Sequence, residues 1–254
     1  MIDSHTHLYF PEYGTEIENI VRLSQASGVS HFILPNVDEE SLGYMKSFHS
    51  KFPLVTSMAM GLHPTEVKEN WQDFLQKVEE ELKTGEYVAV GEVGMDLYWD
   101  KTYIEEQKEA FKQQLILAEK YNLPVIIHCR EAFEETMEVI ENVNPSVDLI
   151  FHSFTGTKEN VDRIRKSCNP YFGINGVITY KNANELRDSL PIIGIEKIVL
   201  ETDSPYLTPV PYRGKRNNSS YLCHIRDKVA EVLGLSIEEV EEITDKNTQH
   251  IFRI

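Results

Sequence analysis

Short apolar runs recur along the chain, each followed by a longer amphipathic stretch. Residues 2–7, 31–37, 54–61, 87–92, 124–128, 148–152, 171–174 and 197–201 read as strands. Several, such as Pro124-Val125-Ile126-Ile127-His128, are apolar without alternation, the pattern of parallel strands covered on both faces. The clearest helical pattern spans residues 104–121, where Ile104, Phe111, Leu115 and Ala118 fall near helical spacing and Lys, Glu and Gln fill the other face. Residues 219–233 and 236–243 predict two final helices, the second opened by a capping box of Ser236 and Glu239. Before them, residues 204–214 carry Pro205, Pro209 and Pro211 and no helical period, so they read as a loop over one end of the fold. Roughly eight strand–helix units predict an α/β fold, a TIM-type (β/α)8 barrel, more than an open doubly wound sheet. No Gly-x-Gly-x-x-Gly follows the first strand, which weighs against dinucleotide binding. With no low-complexity linker and no charge shift, residues 1–254 are expected to form a single domain.

The chemistry lies where polar residues interrupt these runs. Barrel enzymes place reactive groups at the C-terminal ends of the strands, because those ends converge on one mouth. Here the first strand ends in His5-Thr6-His7, the fourth in Gly91-Glu92, the fifth in His128-Cys129-Arg130, the sixth in His152-Ser153 and the eighth in Glu201-Thr202-Asp203. A His-x-His pair on a strand points both imidazoles to one side, as two ligands of one metal require. Histidine nitrogens with carboxylate oxygens suit Zn, Mn, Co, Fe or Ni, and Mg where carboxylates and water dominate. His31, His49, His224 and His250 sit in no such pattern and read as structural.

Composition narrows the setting. A net charge of −16 argues against a protein that grips duplex DNA by a broad basic face. It leaves room for brief binding directed at a cleft whose acidity cations neutralise. Cys129, Cys168 and Cys223 are odd in number and form no Cys-x-x-Cys pair, which fits a reducing compartment. The first residues lack a secretory-signal pattern and no run approaches the ~20 apolar residues of a membrane span. A cytoplasmic location is expected, with no membrane association and no obligate protein partner.

Asp3-Ser4-His5-Thr6-His7, Gly61-Leu62-His63-Pro64, Gly91-Glu92-Val93-Gly94-Met95-Asp96, Ile127-His128-Cys129-Arg130, Phe151-His152-Ser153-Phe154-Thr155-Gly156, Glu201-Thr202-Asp203-Ser204-Pro205-Tyr206-Leu207 and Arg213-Gly214-Lys215-Arg216-Asn217 follow one another along nearly the whole chain. In this order they resemble the successive signatures of the TatD-type DNases, within the wider amidohydrolase-like superfamily. The resemblance implies a metal-dependent hydrolase barrel holding two divalent metal ions. At its positions Glu92 bridges the two ions, His5, His7 and Asp203 hold one, and His128 and His152 hold the other. Two departures stand out: Asn218-Ser219 where the family commonly has Glu-Pro, and Ser153 where cysteine is usual.

The resulting expectation is a divalent-metal-dependent deoxyribonuclease in which a hydroxide shared by the ions attacks a phosphodiester. Asp203 is its general base, and His63 is a phosphate contact or the acid for the leaving oxygen, against a structural histidine before Pro64. Arg130 reads as a fork onto phosphate or as half of a salt bridge, and Glu201 as a carboxylate orienting a ligand. Arg213, Lys215 and Arg216 read as a grip on a neighbouring phosphate or as a solvated turn, and Tyr206 and Tyr212 as stacking partners for bases or as packing against proline. A barrel mouth reaches an exposed strand end more easily than the middle of a duplex, so exonuclease action on single-stranded or frayed DNA is expected. The competing enzymatic reading is an amidohydrolase-like esterase, lactonase or phosphotriesterase, whose bridging position is often a carboxylated lysine. A metal-stabilised scaffold without turnover is the non-enzymatic one.

Overall fold

The computed structural model describes all residues 1–254. Its strands are β1 (Ile2–Asp3), β2 (His31–Pro35), β3 (Thr56–Met60), β4 (Tyr87–Asp96), β5 (Val125–Arg130), β6 (Leu149–Phe151), β7 (Pro170–Ile174) and β8 (Ile198–Leu200). They form one parallel sheet in sequence order. The sheet closes on itself just past β1 and β8. There Ser4 N donates to Leu200 O at 3.0 Å, Asp203 N donates to His5 O at 2.9 Å, and Thr6 bridges Ser204 in parallel. Around this barrel lie α1 (Ile17–Ala26), α2 (Glu39–Lys51), α3 (Trp71–Leu82), α4 (Ile104–Tyr121), α5 (Phe133–Val143), α6 (Lys158–Ser167), α7 (Asn184–Ile193), α8 (Leu222–Leu233) and α9 (Ile237–Phe252). This is the TIM-type barrel that the alternation of runs predicts. No helix is long and apolar enough to cross a membrane, and the three cysteines are free.

Inward side chains of β2 to β8 (Ile33, Ala59, Ala89, Ile126, Ile150, Tyr171 and Val199) pack with Ile251 and Phe252 into an apolar plug. The last turn of α9 therefore floors the barrel, and the polar inward residues collect at the C-terminal ends of the strands. The helix outruns its predicted end at residue 243 by a physical route. Thr244 and Thr248 interrupt the apolar period, yet both are buried and return their hydroxyls to Val240 O and Thr244 O, each at 2.8 Å. Asn247 ties the same helix to Ile195 O and Ile198 O below β8.

Further boundaries differ from the periodicity, β4 among them, which continues past Glu92 to Asp96. The third strand starts at Thr56 because Leu54 is 92% exposed. The first is regular only to Asp3, and residues 219–221 form a 3-10 turn ahead of α8. In α4, Gln107 and Gln114 lie on the buried face. Each makes a reciprocal pair with one backbone unit: Leu62 N to Gln114 Oε1 (2.7 Å) and Gln114 Nε2 to Leu62 O (3.2 Å), Asp96 N to Gln107 Oε1 (2.9 Å) and Gln107 Nε2 to Asp96 O (3.2 Å). One helix thus fixes the backbone beside His63 and at Asp96.

Phe252→Ala empties the barrel floor and is expected to lower unfolding stability by about 3–5 kcal/mol in urea titration. A loss below about 1 kcal/mol would show that the plug does not depend on α9.

Candidate metal centre

Strand geometry brings six polar side chains to one place. Past β1, His5 and His7 point the same way, with Nε2 atoms 3.2 Å apart, and both are buried. On β4, Val90 pairs with Val125 and Val93 with Ile127, so three steps of β4 oppose two of β5. This bulge breaks the alternation: Val93 and Met95 join the outer core, and Glu92 turns to the barrel axis. Gly94 (φ 139°) allows the close approach that follows, since a Cβ there would lie 2.0 Å from His128 O. At the end of β8, the buried Asp3 carboxylate accepts from Thr202 N (2.9 Å) and Thr202 Oγ1 (2.6 Å), anchoring the residue before Asp203.

The donors form two sets on either side of Glu92. His5 Nε2 lies 3.2 Å from Glu92 Oε2 and 3.7 Å from Asp203 Oδ1, and His7 Nε2 lies 3.7 Å from each of the same oxygens. Four ligands tetrahedral about an ion at ~2.0–2.1 Å are separated by about 3.3–3.4 Å, so this set fits one small divalent cation. On the other side, Glu92 Oε1 lies 2.8 Å from both His128 Nδ1 and His152 Nε2.

Hydrogen bonds assign the ring tautomers. Tyr9 OH donates to Pro35 O, so at 3.0 Å it accepts from His7 Nδ1–H, and His7 presents its Nε2 lone pair to the centre. His63 is the reverse case. Its Nε2 lies 3.3 Å from His128 Nδ1 and 3.5 Å from Glu92 Oε1, close enough to count as a third ligand. Yet Thr65 N donates to its Nδ1 at 3.2 Å, so in the neutral ring the proton sits on Nε2. His63 therefore faces the cavity as a donor. His128 and His152 each have a second carboxylate behind them, Asp96 Oδ2 at 2.9 Å from His128 Nε2 and Glu201 Oε1 at 3.4 Å from His152 Nδ1, the arrangement that orients metal-binding imidazoles. Gly173 leaves the space for Glu201, as a Cβ there would lie 2.2 Å from Glu201 Oε2. The Nδ1 atoms of His5 and His152 and Oε2 of Glu201 are buried without hydrogen-bond partners, so Glu201 stands beside the His152 ring as a charge.

Charge follows position. Burial opposes ionisation of Glu92, but the surrounding imidazoles outweigh it and hold the carboxyl well below the usual range. Burial lowers His5 and His63, and His7 strongly, so these rings are neutral. Burial also opposes protonation of His128 and His152, but their carboxylate neighbours raise both. Asp203 is pushed up to about 8 by burial, with Glu92 and Glu201 adding repulsion. Cation-free, the centre balances its carboxylates with protons.

His7, Glu92, His128, His152 and Asp203 line a cavity of about 800 Å³ at the barrel mouth, together with His63, Arg130, Tyr206, Asp96 and Trp99. Arg130 is its one arginine or lysine. Arg213, Lys215 and Arg216 do not line it. Arg213 stacks on Tyr180 at 4.0 Å, Lys215 sits 5.2 Å from the ring of Tyr212, and Arg216 bonds Glu12 O and pairs with Glu16. Tyr212 stacks on Tyr221 with centroids 4.3 Å apart. Asn217, fully buried, bonds Thr202 O and Tyr206 O and holds the Pro-rich loop to β8. Gln107, Gln114 and Asn217 escape sequence reasoning because their work is done through backbone partners in other segments, and Asp96 because its partner is the ring of His128 on the next strand. Their one sequence signal is the glutamine pair seven residues apart on α4. His31 and His49 bond Ser57 and Thr56, away from the cavity.

The family model described as TatD related DNase matches residues 2–253. The uncharacterized metal-dependent hydrolase YabD of Bacillus subtilis (strain 168) is 33% identical over 255 residues, covering 100% of this chain and 99% of its own. The crystal structure of YjjV, a TatD homolog from Escherichia coli K12, superposes with a TM-score of 0.93 at 26% identity, over 100% of this chain and 98% of that one. An uncharacterized amidohydrolase from Saccharomyces cerevisiae has a TM-score of 0.85 at 16% identity, over 98% and 99% of the two chains, a likeness of fold alone.

Because Asp203 and His152 carry protons at neutral pH without a cation, loading must release them. Titration calorimetry with Mn²⁺ at pH 7, run in buffers of different ionisation enthalpy, is expected to show proton release, with affinity rising as pH rises toward about 8. Heats independent of the buffer would contradict this charge balance.

Proposed function

The chain belongs to the TatD-related DNase family and is a metal-dependent hydrolase, and from that premise we propose that it hydrolyses phosphodiester bonds of single-stranded or frayed DNA, working from an exposed end. The observation that carries this reading is the buried carboxylate of Glu92 with donors on both sides, at the base of a cavity whose one arginine or lysine is Arg130. In this reading His5, His7, Asp203 and Glu92 would hold one divalent cation, and Glu92, His128 and His152 would hold a second. When bound, such ions supply Lewis acidity toward phosphoryl oxygens and bring water nearer to ionising at neutral pH. Nitrogen-rich donors favour Zn, Mn, Co, Fe or Ni over Mg.

The chain's own groups guide the proton movements. Asp203, which gives up its own proton when a cation binds, would accept the proton of the attacking water through its carboxylate. His63 carries its proton on Nε2, facing the cavity, and donates it as a hydrogen bond to the leaving oxygen, which takes its proton from water as the bond breaks. Thr65 fixes this tautomer, its N donating to His63 Nδ1 at 3.2 Å. Arg130 has no carboxylate partner and is free to fork onto a non-bridging phosphate oxygen. A cavity of about 800 Å³ suits one or two nucleotides and not the width of a duplex, which supports end-directed cleavage of unpaired strands. Arg130 favours a phosphodiester over a neutral lactone or ester.

On end-labelled single-stranded DNA, the metal-loaded protein is expected to release nucleotides stepwise, to stop on chelation and to resume with Mn²⁺ or Zn²⁺. Cleavage that persists in excess chelator would remove this reading. His63→Ala should lower kcat on DNA by about 10²–10⁴, and far less on bis(p-nitrophenyl) phosphate, whose leaving oxygen needs no proton. Equal losses on both substrates would take the leaving-oxygen contact from His63.

A further inference from the structure

Two large aromatic side chains stand in solvent at the rim of the cavity. Tyr98 and Trp99 follow β4 directly and are 53% and 71% exposed, whereas the chain's other tryptophan, Trp71, is buried in α3. Their rings meet edge to face with centroids 4.9 Å apart, and the guanidinium of Arg130 lies 3.9 Å over Tyr98 and 5.4 Å from Trp99. Trp99 and Arg130 both line the cavity.

This pair is tied to the reactive centre through one carboxylate. Asp96 Oδ1 accepts from Tyr98 N at 3.0 Å and Trp99 N at 3.4 Å, while Asp96 Oδ2 lies 2.9 Å from His128 Nε2. The backbone of Asp96 is gripped in turn by Gln107 of α4. A flat apolar surface is thereby held in fixed relation to His128, with a cation at its edge and one face open.

Resting on the nuclease reading above, we propose that Trp99, Tyr98 and Arg130 form a subsite for the nucleobase next to the scissile phosphate. The indole face takes the base by stacking, and the guanidinium, itself stacked on Tyr98, meets the adjoining phosphate. Every base has a π-face, so the subsite accepts all four. It requires a base free of its complement, and so selects single strands over duplexes. In a chain of net charge −16, stacking supplies affinity that a basic surface supplies elsewhere.

The test uses wild type, Trp99→Ala and Trp99→Phe with oligo(dT), with oligo(dT) carrying one abasic residue on either side of the terminal linkage, and with bis(p-nitrophenyl) phosphate. Trp99→Ala is expected to raise KM for oligo(dT) by about 5- to 100-fold, and much less for the small diester, with Trp99→Phe recovering most of the loss. An abasic residue on one side should impose a similar loss on wild type and little more on Trp99→Ala, as coupled partners require. An unchanged KM for oligo(dT) in Trp99→Ala, or fully additive abasic and Trp99→Ala effects, overturns the subsite and leaves the nuclease reading intact. A wild type that hydrolyses the small diester but no oligonucleotide overturns both.

Discussion

A carboxylate buried in a barrel must be matched by positive charge, because an unpaired ion away from water costs several kcal/mol. Glu92 is 3% exposed, and the rest of the centre is built around this requirement. Imidazoles approach it from both sides, Oε2 facing His5 and His7, and Oε1 facing His128 and His152. Without cations, protons on His152 and Asp203 supply the balance. The same crowding that keeps Glu92 ionised prepares the site for divalent ions.

Precision comes from groups that never face the cavity. The bulge in β4 turns Glu92 inward, Gln107 and Gln114 of α4 clamp the backbone at Asp96 and beside His63, and Asp3 holds Thr202 ahead of Asp203. Asn217 ties down the loop after β8. Two histidines of similar proximity receive opposite roles from their outer hydrogen bonds. Tyr9 leaves His7 with a lone pair toward the centre, and Thr65 leaves His63 with a proton there.

The barrel is legible in the sequence because parallel strands buried on both faces are apolar throughout and end where the polar residues begin. His5-Thr6-His7 is equally legible, since strand alternation alone places both imidazoles together. The inward turn of Glu92 is not, because a bulge shifts register without a hydrophobic signature. Gln107 and Gln114 read as the polar face of α4, although their backbone partners lie in other segments. Thr244 and Thr248 hide the length of α9 by satisfying their hydroxyls within the helix. The basic segment Arg213 to Arg216 stands out in an acidic chain, yet its side chains are engaged with Tyr180, Tyr212 and Glu16. Trp99 carries no motif, and only its exposure beside Arg130 reveals it.

The central claim is that one carboxylate divides the donors into two cation sites. Anomalous diffraction from crystals of the Mn²⁺-loaded protein tests it most directly. Two peaks are predicted, one joining Glu92 Oε2 to His5, His7 and Asp203, the other joining Glu92 Oε1 to His128 and His152, with His63 bound to neither. A single peak away from Glu92, or ions held without it, would contradict the account.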